Sequence, residues 1–256
     1  MLTITERHMR PFQQAARDRF EDEMVIHSQE FAPRLCEVLG EPQLRVAIRH
    51  TIDNAARYGF TYRGPVRLCV ELMFLCGSAF DTDPQYPSLG RALHDEGDQM
   101  QRASLIHEGI IEYQETVAGV GARNVHAALR RLASFARELI RFTEADFAPG
   151  MLAALSLIFP EKAAYVGDAN LAELIGEARA EAATYDFQSV RAQVLLVALK
   201  YAFGHGCTDD PLYPWISQTL TDERITDPAA RARRLETKAM TWLDHVVARQ
   251  QNGLPT

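Results

Sequence analysis

The chain has 256 residues, with 27 Lys and Arg against 34 Asp and Glu, for a formal charge of −7. At 47% apolar and 24% charged residues it can build a packed core, which excludes disordered, collagenous and coiled-coil classes. The acidic balance and the lack of any Lys/Arg run argue against a phosphate-tracking surface, so nucleic acid is not expected as a partner.

Glu6, His8 and Arg10 stand where a secretory leader would need its apolar stretch, which predicts a cytoplasmic protein. The first predicted helix opens at Thr3, with Glu6 completing a capping box, and carries an apolar stripe of Met9, Phe12, Ala16, Phe20 and Met24. Gly40 stops a short helix, and Pro42 opens the next one. Its buried face would hold Leu44, Ala47, Ile48, Ile52 and Ala55, and Gly59 can end it. Pro65 starts a hydrophobic helix over 66–75 that Gly77 stops. Cys69 and Cys76, two turns apart, share its face as small core side chains. The four cysteines lack a CxxC pairing, so reduced thiols are expected rather than disulfides or zinc. A helix over 98–116 is broken at Gly119 and Gly121, and Asn124 caps a long helix to 141, which marks the boundary between two halves. The longest apolar run, 149–160, falls well short of the roughly 20 residues needed to span a bilayer. A second hydrophobic helix is predicted over 189–203, stopped by Gly204.

The two halves are similar at an offset of 127. Tyr58-Gly59-Phe60 falls on Tyr185-Asp186-Phe187, and Asp83-Pro84-Gln85-Tyr86-Pro87 falls on Asp210-Pro211-Leu212-Tyr213-Pro214. Without a gap, 20–96 and 147–223 share 21 identities in 77 positions, where unrelated sequences give roughly five. The expected fold is therefore all-α, two tandem helical repeats packed together: 1–97 as the first, 98–123 as a linking helix with its glycine break, and 124–256 as the second with a C-terminal helix.

The corners Asp83, Pro84, Pro87 and Asp210, Pro211, Pro214 read as structural elements, with each Asp capping the helix that follows it. The alternation of Asp81 and Asp83 suggests a calcium loop. The glycine and distal glutamate of an EF-hand are missing, however, and Thr208 replaces Asp81 in the second half. His205, Cys207, Asp209 and Asp210 form one compact group that could combine a thiol with a base, yet Ser78 and Phe80 hold the places of His205 and Cys207 in the first half. His94-Asp95-Glu96 and His107-Glu108 lack the spacing of a zinc helix and read as solvated side chains. Arg130, Arg131, Arg137 and Arg141 are offset by Glu138 and Glu144, and read as a solvated helix face. No catalytic, cofactor or metal site is assigned.

Gly40, Tyr58-Gly59-Phe60, Leu72-Met73-Phe74, Gly77, Phe80-Asp81-Thr82-Asp83-Pro84 and Pro87 together resemble a family of uncharacterised helical proteins associated with bacterial type VI secretion and polymorphic-toxin loci. The second half departs from that pattern at Asp186, Lys200 and Thr208. The resemblance implies a non-enzymatic accessory protein that binds a toxin, effector or spike component, either as its immunity protein or as a loading adaptor. Tyr86, Tyr213 and Trp215 are the expected contacts, Trp215 foremost because Ser88 stands at its place in the first half. The alternative for Trp215 is that it fills an internal gap. The competing functional classes are an enzyme with its site in the cleft near His205 and Cys207, and a helical scaffold.

Overall fold

The structure, a computed structural model, describes residues 6–140 and 142–251, and among these every regular element is helical. Thr3 of the expected capping box, the side chain of Met9, and Arg141 lie outside the described residues. No described helix is long and apolar enough to cross a membrane.

Helix α1 (Glu6–Phe31) leads into α2 (Pro33–Leu39), α3 (Glu41–Arg57), α4 (Arg63–Cys76) and α5 (Pro87–Leu93). The stripe expected on α1 is buried only toward its end. Met24 is in the core and Phe20 is half-buried, while Phe12 is 73% exposed, because α2, α3 and α4 cover only the second part of the helix. On α3 the expected face holds: Leu44, Ala47, Ile48 and Ala55 are buried, with Ile52 partly so. That helix begins one residue earlier than expected, at Glu41, whose carboxylate suits the positive end of the helix dipole.

Helix α6 (Gln99–Tyr113) begins with a complete capping box. Asp98 accepts from the backbone of Gln101, and the Gln101 side chain accepts from the backbone N–H of Asp98. Its end widens into a π-helical turn, Gln114–Ala118, followed by a 3₁₀ turn, Val120–Ala122. Asn124 does not cap α7 (Arg123–Arg137) as expected. Its amide donates instead to the Val117 carbonyl at 3.0 Å, tying the π turn to the new helix. The helix is also shorter than expected, because Glu138 turns extended after Arg137.

The chain continues through α8 (Phe147–Ile158), α9 (Pro160–Val166), α10 (Asp168–Thr184), α11 (Val190–Phe203), α12 (Pro214–Leu220) and α13 (Pro228–Gln251). Asp186 takes the left-handed backbone, φ 56°, at the end of α10, a conformation that Asp tolerates better than most side chains. Ser189 caps α11, accepting from the backbone of Ala192. Helices α4 and α11 are the most enclosed, each with seven or more buried residues. The core cluster around α3 and α4 also takes in Leu212, from the loop before α12, so the interior is continuous across the two halves. Cys36, Cys69, Cys76 and Cys207 are all buried free thiols.

Candidate functional site

The two Asp-Pro corners meet. Asp83 Oδ2 accepts from the backbone N–H of His205 at 2.8 Å, and Asp210 Oδ2 accepts from the backbone N–H of Ser78 at 2.8 Å. Each carboxylate also closes its own turn, through Gln85 N on Asp83 and Leu212 N on Asp210. The exchange depends on Gly77 and Gly204, which lie back to back with φ +93° and +97°. A Cβ on Gly77 would sit 2.7 Å from the Phe203 carbonyl oxygen, and one on Gly204 would sit 2.7 Å from that of Cys76. Two further bonds cross the same seam, from Gln85 to the Lys200 carbonyl and from Gln43 to the Pro211 carbonyl.

This geometry corrects the capping account of the corners. The residues that precede α5 and α12 are Tyr86 and Tyr213, neither helix has a side-chain cap, and Pro87 and Pro214 occupy the first helical positions rather than Pro84 and Pro211. Asp83 and Asp210 are instead buried acceptors for the opposite half. Burial raises the Asp210 carboxyl above its ordinary range, opposed by the Ser78 and Leu212 N–H groups.

Beside the seam lies a polar cluster. His205 Nδ1 is 3.1 Å from Glu177, and its Nε2 is 3.0 Å from the Thr82 hydroxyl, so a carboxylate, an imidazole and a hydroxyl stand in line. Lys200, buried below, pairs with Glu181 at 2.6 Å and donates to the His205 carbonyl. Cys207 does not join this line. It is fully buried in the apolar cluster of α11, α12 and α13, and burial pushes its thiol upward, so no thiolate forms there at neutral pH. Asp81 accepts from the Tyr58 hydroxyl at 2.8 Å, and among the described residues no group of three His, Cys, Asp or Glu side chains converges on a point. His94, His107 and Glu108 are exposed.

The expected aromatic contacts are largely internal. Tyr86 is 4% exposed and packs edge-on against Tyr113, which removes it as a surface contact. Tyr213 and Trp215 are half-buried, with both rings against Phe203. Exposed apolar side chains also line a groove of about 740 Å³ between α7 and α8. Leu139 and Leu157, 87% and 75% exposed, face this groove together with Phe135, Ile140 and Phe142, and the exposed Arg130 and Arg131 stand at its rim. The Phe142 ring rests on Gly150, where an added Cβ would lie 2.6 Å from it. Sequence reasoning missed the groove because nothing in the sequence distinguishes an exposed leucine from a buried one at positions 139 and 157.

No protein family, curated protein or solved structure matches the chain.

Proposed function

We propose that the chain is a tandem duplication of one helical unit at an offset of 127, and that it acts by binding a partner protein, with no chemistry of its own. The duplication draws support from helix bounds: α2, α3, α4 and α5 begin and end 127 residues before α9, α10, α11 and α12 in every case. The reciprocal bonds of Asp83 and Asp210 have the same register.

The observation that carries the binding reading is the α7–α8 groove. Large exposed apolar patches rimmed by polar groups mark interaction surfaces, and a groove between two helices suits an amphipathic helix with an apolar ridge. Arg130 and Arg131, which outnumber Glu138 in the lining, favour acidic residues beside that ridge. The sequence resemblance directs the choice of partner toward a toxin, effector or spike component of a type VI secretion or polymorphic-toxin locus, held in the cytoplasm as an immunity or adaptor complex.

Co-purification with the product of each flanking gene tests this reading. Leu139→Asp combined with Leu157→Asp is expected to weaken capture at least about 100-fold, since apolar anchors dominate interface energies, while the melting temperature stays within about 2 °C because both side chains are exposed. Trp215→Ala should lower the melting temperature and leave capture intact.

A second reading rests on the Glu177, His205 and Thr82 alignment, which has the order of an acid, a base and a nucleophile. Failure of every neighbour to bind, together with turnover of a small substrate that is lost in His205→Ala, would replace the binding reading with this one.

A further inference from the structure

Lys162, on α9, is 5% exposed, and among the described residues its ammonium has no carboxylate within ion-pair distance. One of its three N–H groups goes to the Tyr201 carbonyl at 2.7 Å, near the C-terminal end of α11 where helix carbonyls lack partners within the helix. The Tyr201 and Tyr86 rings lie 4.5 and 5.7 Å from the ammonium. A buried ammonium without a direct ion pair is costly in a protein interior, and the Asp83 carboxylate favours its charge only from beyond ion-pair distance. In the register of the duplication proposed above Leu35 holds this place on α2, so the packing of the helix does not itself require a lysine.

The ammonium lines a cavity of about 540 Å³. The walls are largely apolar, from Ile110 on α6, Val125 and Leu129 on α7, Ile158 and Phe159, and Trp242 on α13. Polar groups gather on one side: Lys162, Tyr86, Tyr113 and Tyr201. The rim is formed by the π turn and the glycines after it, where Gln114 and Gly121 are exposed. A π turn breaks the regular helical ladder and is often found at functional sites. A cavity of this size, apolar with a few convergent polar groups, has the character of a small-molecule site.

We propose that this cavity binds an amphiphilic monoanion, an alkyl or aryl chain with a terminal carboxylate, whose carboxylate meets Lys162. The ligand carboxylate supplies the direct ion pair that the lysine lacks, since Asp83 acts on it only from beyond ion-pair distance, and the apolar body displaces water from the walls. Asp83, Cys76, Glu161 and Tyr165, which packs edge-on against Tyr113, are the other titratable groups near the lysine and its tyrosines. Asp83 is occupied by three N–H groups, Cys76 is a buried thiol, and the Glu161 carboxylate acts on Tyr201. Burial pulls the Lys162 amine down to about 8, so an anion seated beside it should draw a proton onto the amine in mildly alkaline solution.

Calorimetric titration of the full chain with decanoate, and separately with decanol, tests the proposal. Decanoate should bind with a Kd of roughly 10–100 µM, and decanol about tenfold or more weaker because it lacks the charge. Proton uptake should accompany decanoate binding between about pH 8 and 9. Lys162→Met and Lys162→Gln should each weaken decanoate at least about tenfold and abolish the uptake, with melting curves showing that both remain folded. No decanoate binding at 1 mM, equal binding of decanol, or retention of decanoate affinity within twofold by either folded variant would overturn it.

Discussion

Gly204→Ala is expected to cost about 4 kcal/mol or more, a large part of the 5–15 kcal/mol that holds a typical domain together. The backbone there, φ +97° and ψ 153°, lies in a region that essentially only glycine occupies. The new methyl would also sit 2.7 Å from the Cys76 carbonyl oxygen and 3.5 Å from Asp83 Oδ2. The carbonyl cannot yield cheaply, because moving it bends the end of α4, whereas Asp83 at 3.5 Å is in ordinary contact. Gly77→Ala should behave alike, meeting Phe203 O at 2.7 Å. Asp83→Ala and Asp210→Ala should each cost about 3 kcal/mol, against about 1 for a lost helix cap, because each leaves buried N–H groups without an acceptor. Urea unfolding followed by circular dichroism checks the set, with Gly176→Ala as the control. That glycine is exposed in the middle of α10 with open space around it, so alanine should stabilise by roughly 0.5–1 kcal/mol. A Gly204→Ala protein within 1 kcal/mol of wild type would refute the close seam.

Lys162→Met is expected to act in the opposite direction and stabilise the protein at pH 7 by about 1–2 kcal/mol. The folded amine titrates at about 8 against 10.5 for a free lysine, so at pH 7 the fold carries a charging cost of about 3 kcal/mol. Methionine removes that cost and forfeits the bond to Tyr201 O, which offsets part of it. The two effects separate with pH. A depressed lysine contributes most above 10.5, where it is neutral in both states, and loses that contribution as pH falls toward 8, because the unfolded chain there still holds the proton. Wild-type stability should therefore rise relative to Lys162→Met by about 3 kcal/mol between pH 8 and 10.5. Parallel unfolding curves across that window would show that the ammonium is not desolvated.

Much of the helical plan was readable because its signals are local. Gly40, Gly77 and Gly204 end helices where a positive φ is required, and the spacing of Leu44, Ala47 and Ile48 sets the buried face of α3. The seam was not readable. Asp83 and Ser78 find partners 122 and 132 residues away, and nothing in an Asp-Pro step distinguishes an acceptor for a distant N–H from a cap for the next turn. The π turn at Gln114–Ala118 has no composition of its own, since it arises where α6 meets the bond from Asn124 to Val117. Lys162 follows Glu161 and reads as one of a surface pair. The signal available was comparative, because Leu35 and Met73 stand 127 residues before Lys162 and Lys200.

The exchange of carboxylates across the seam also changes what an unstructured connection means in this protein. Ser78 and His205 belong to loops, where amide hydrogens ordinarily trade with solvent in seconds to minutes. Here each amide is bonded to a buried carboxylate of the other half, Ser78 itself being buried and His205 half-buried beside an open polar pocket. Deuterium uptake at Ser78 should approach the slow rate of the enclosed helices α4 and α11, and uptake at His205 should be slower than at an ordinary loop amide but faster than at Ser78. A loop amide such as Ser78 among the last protons to leave would mark the seam as one cooperative unit with the core.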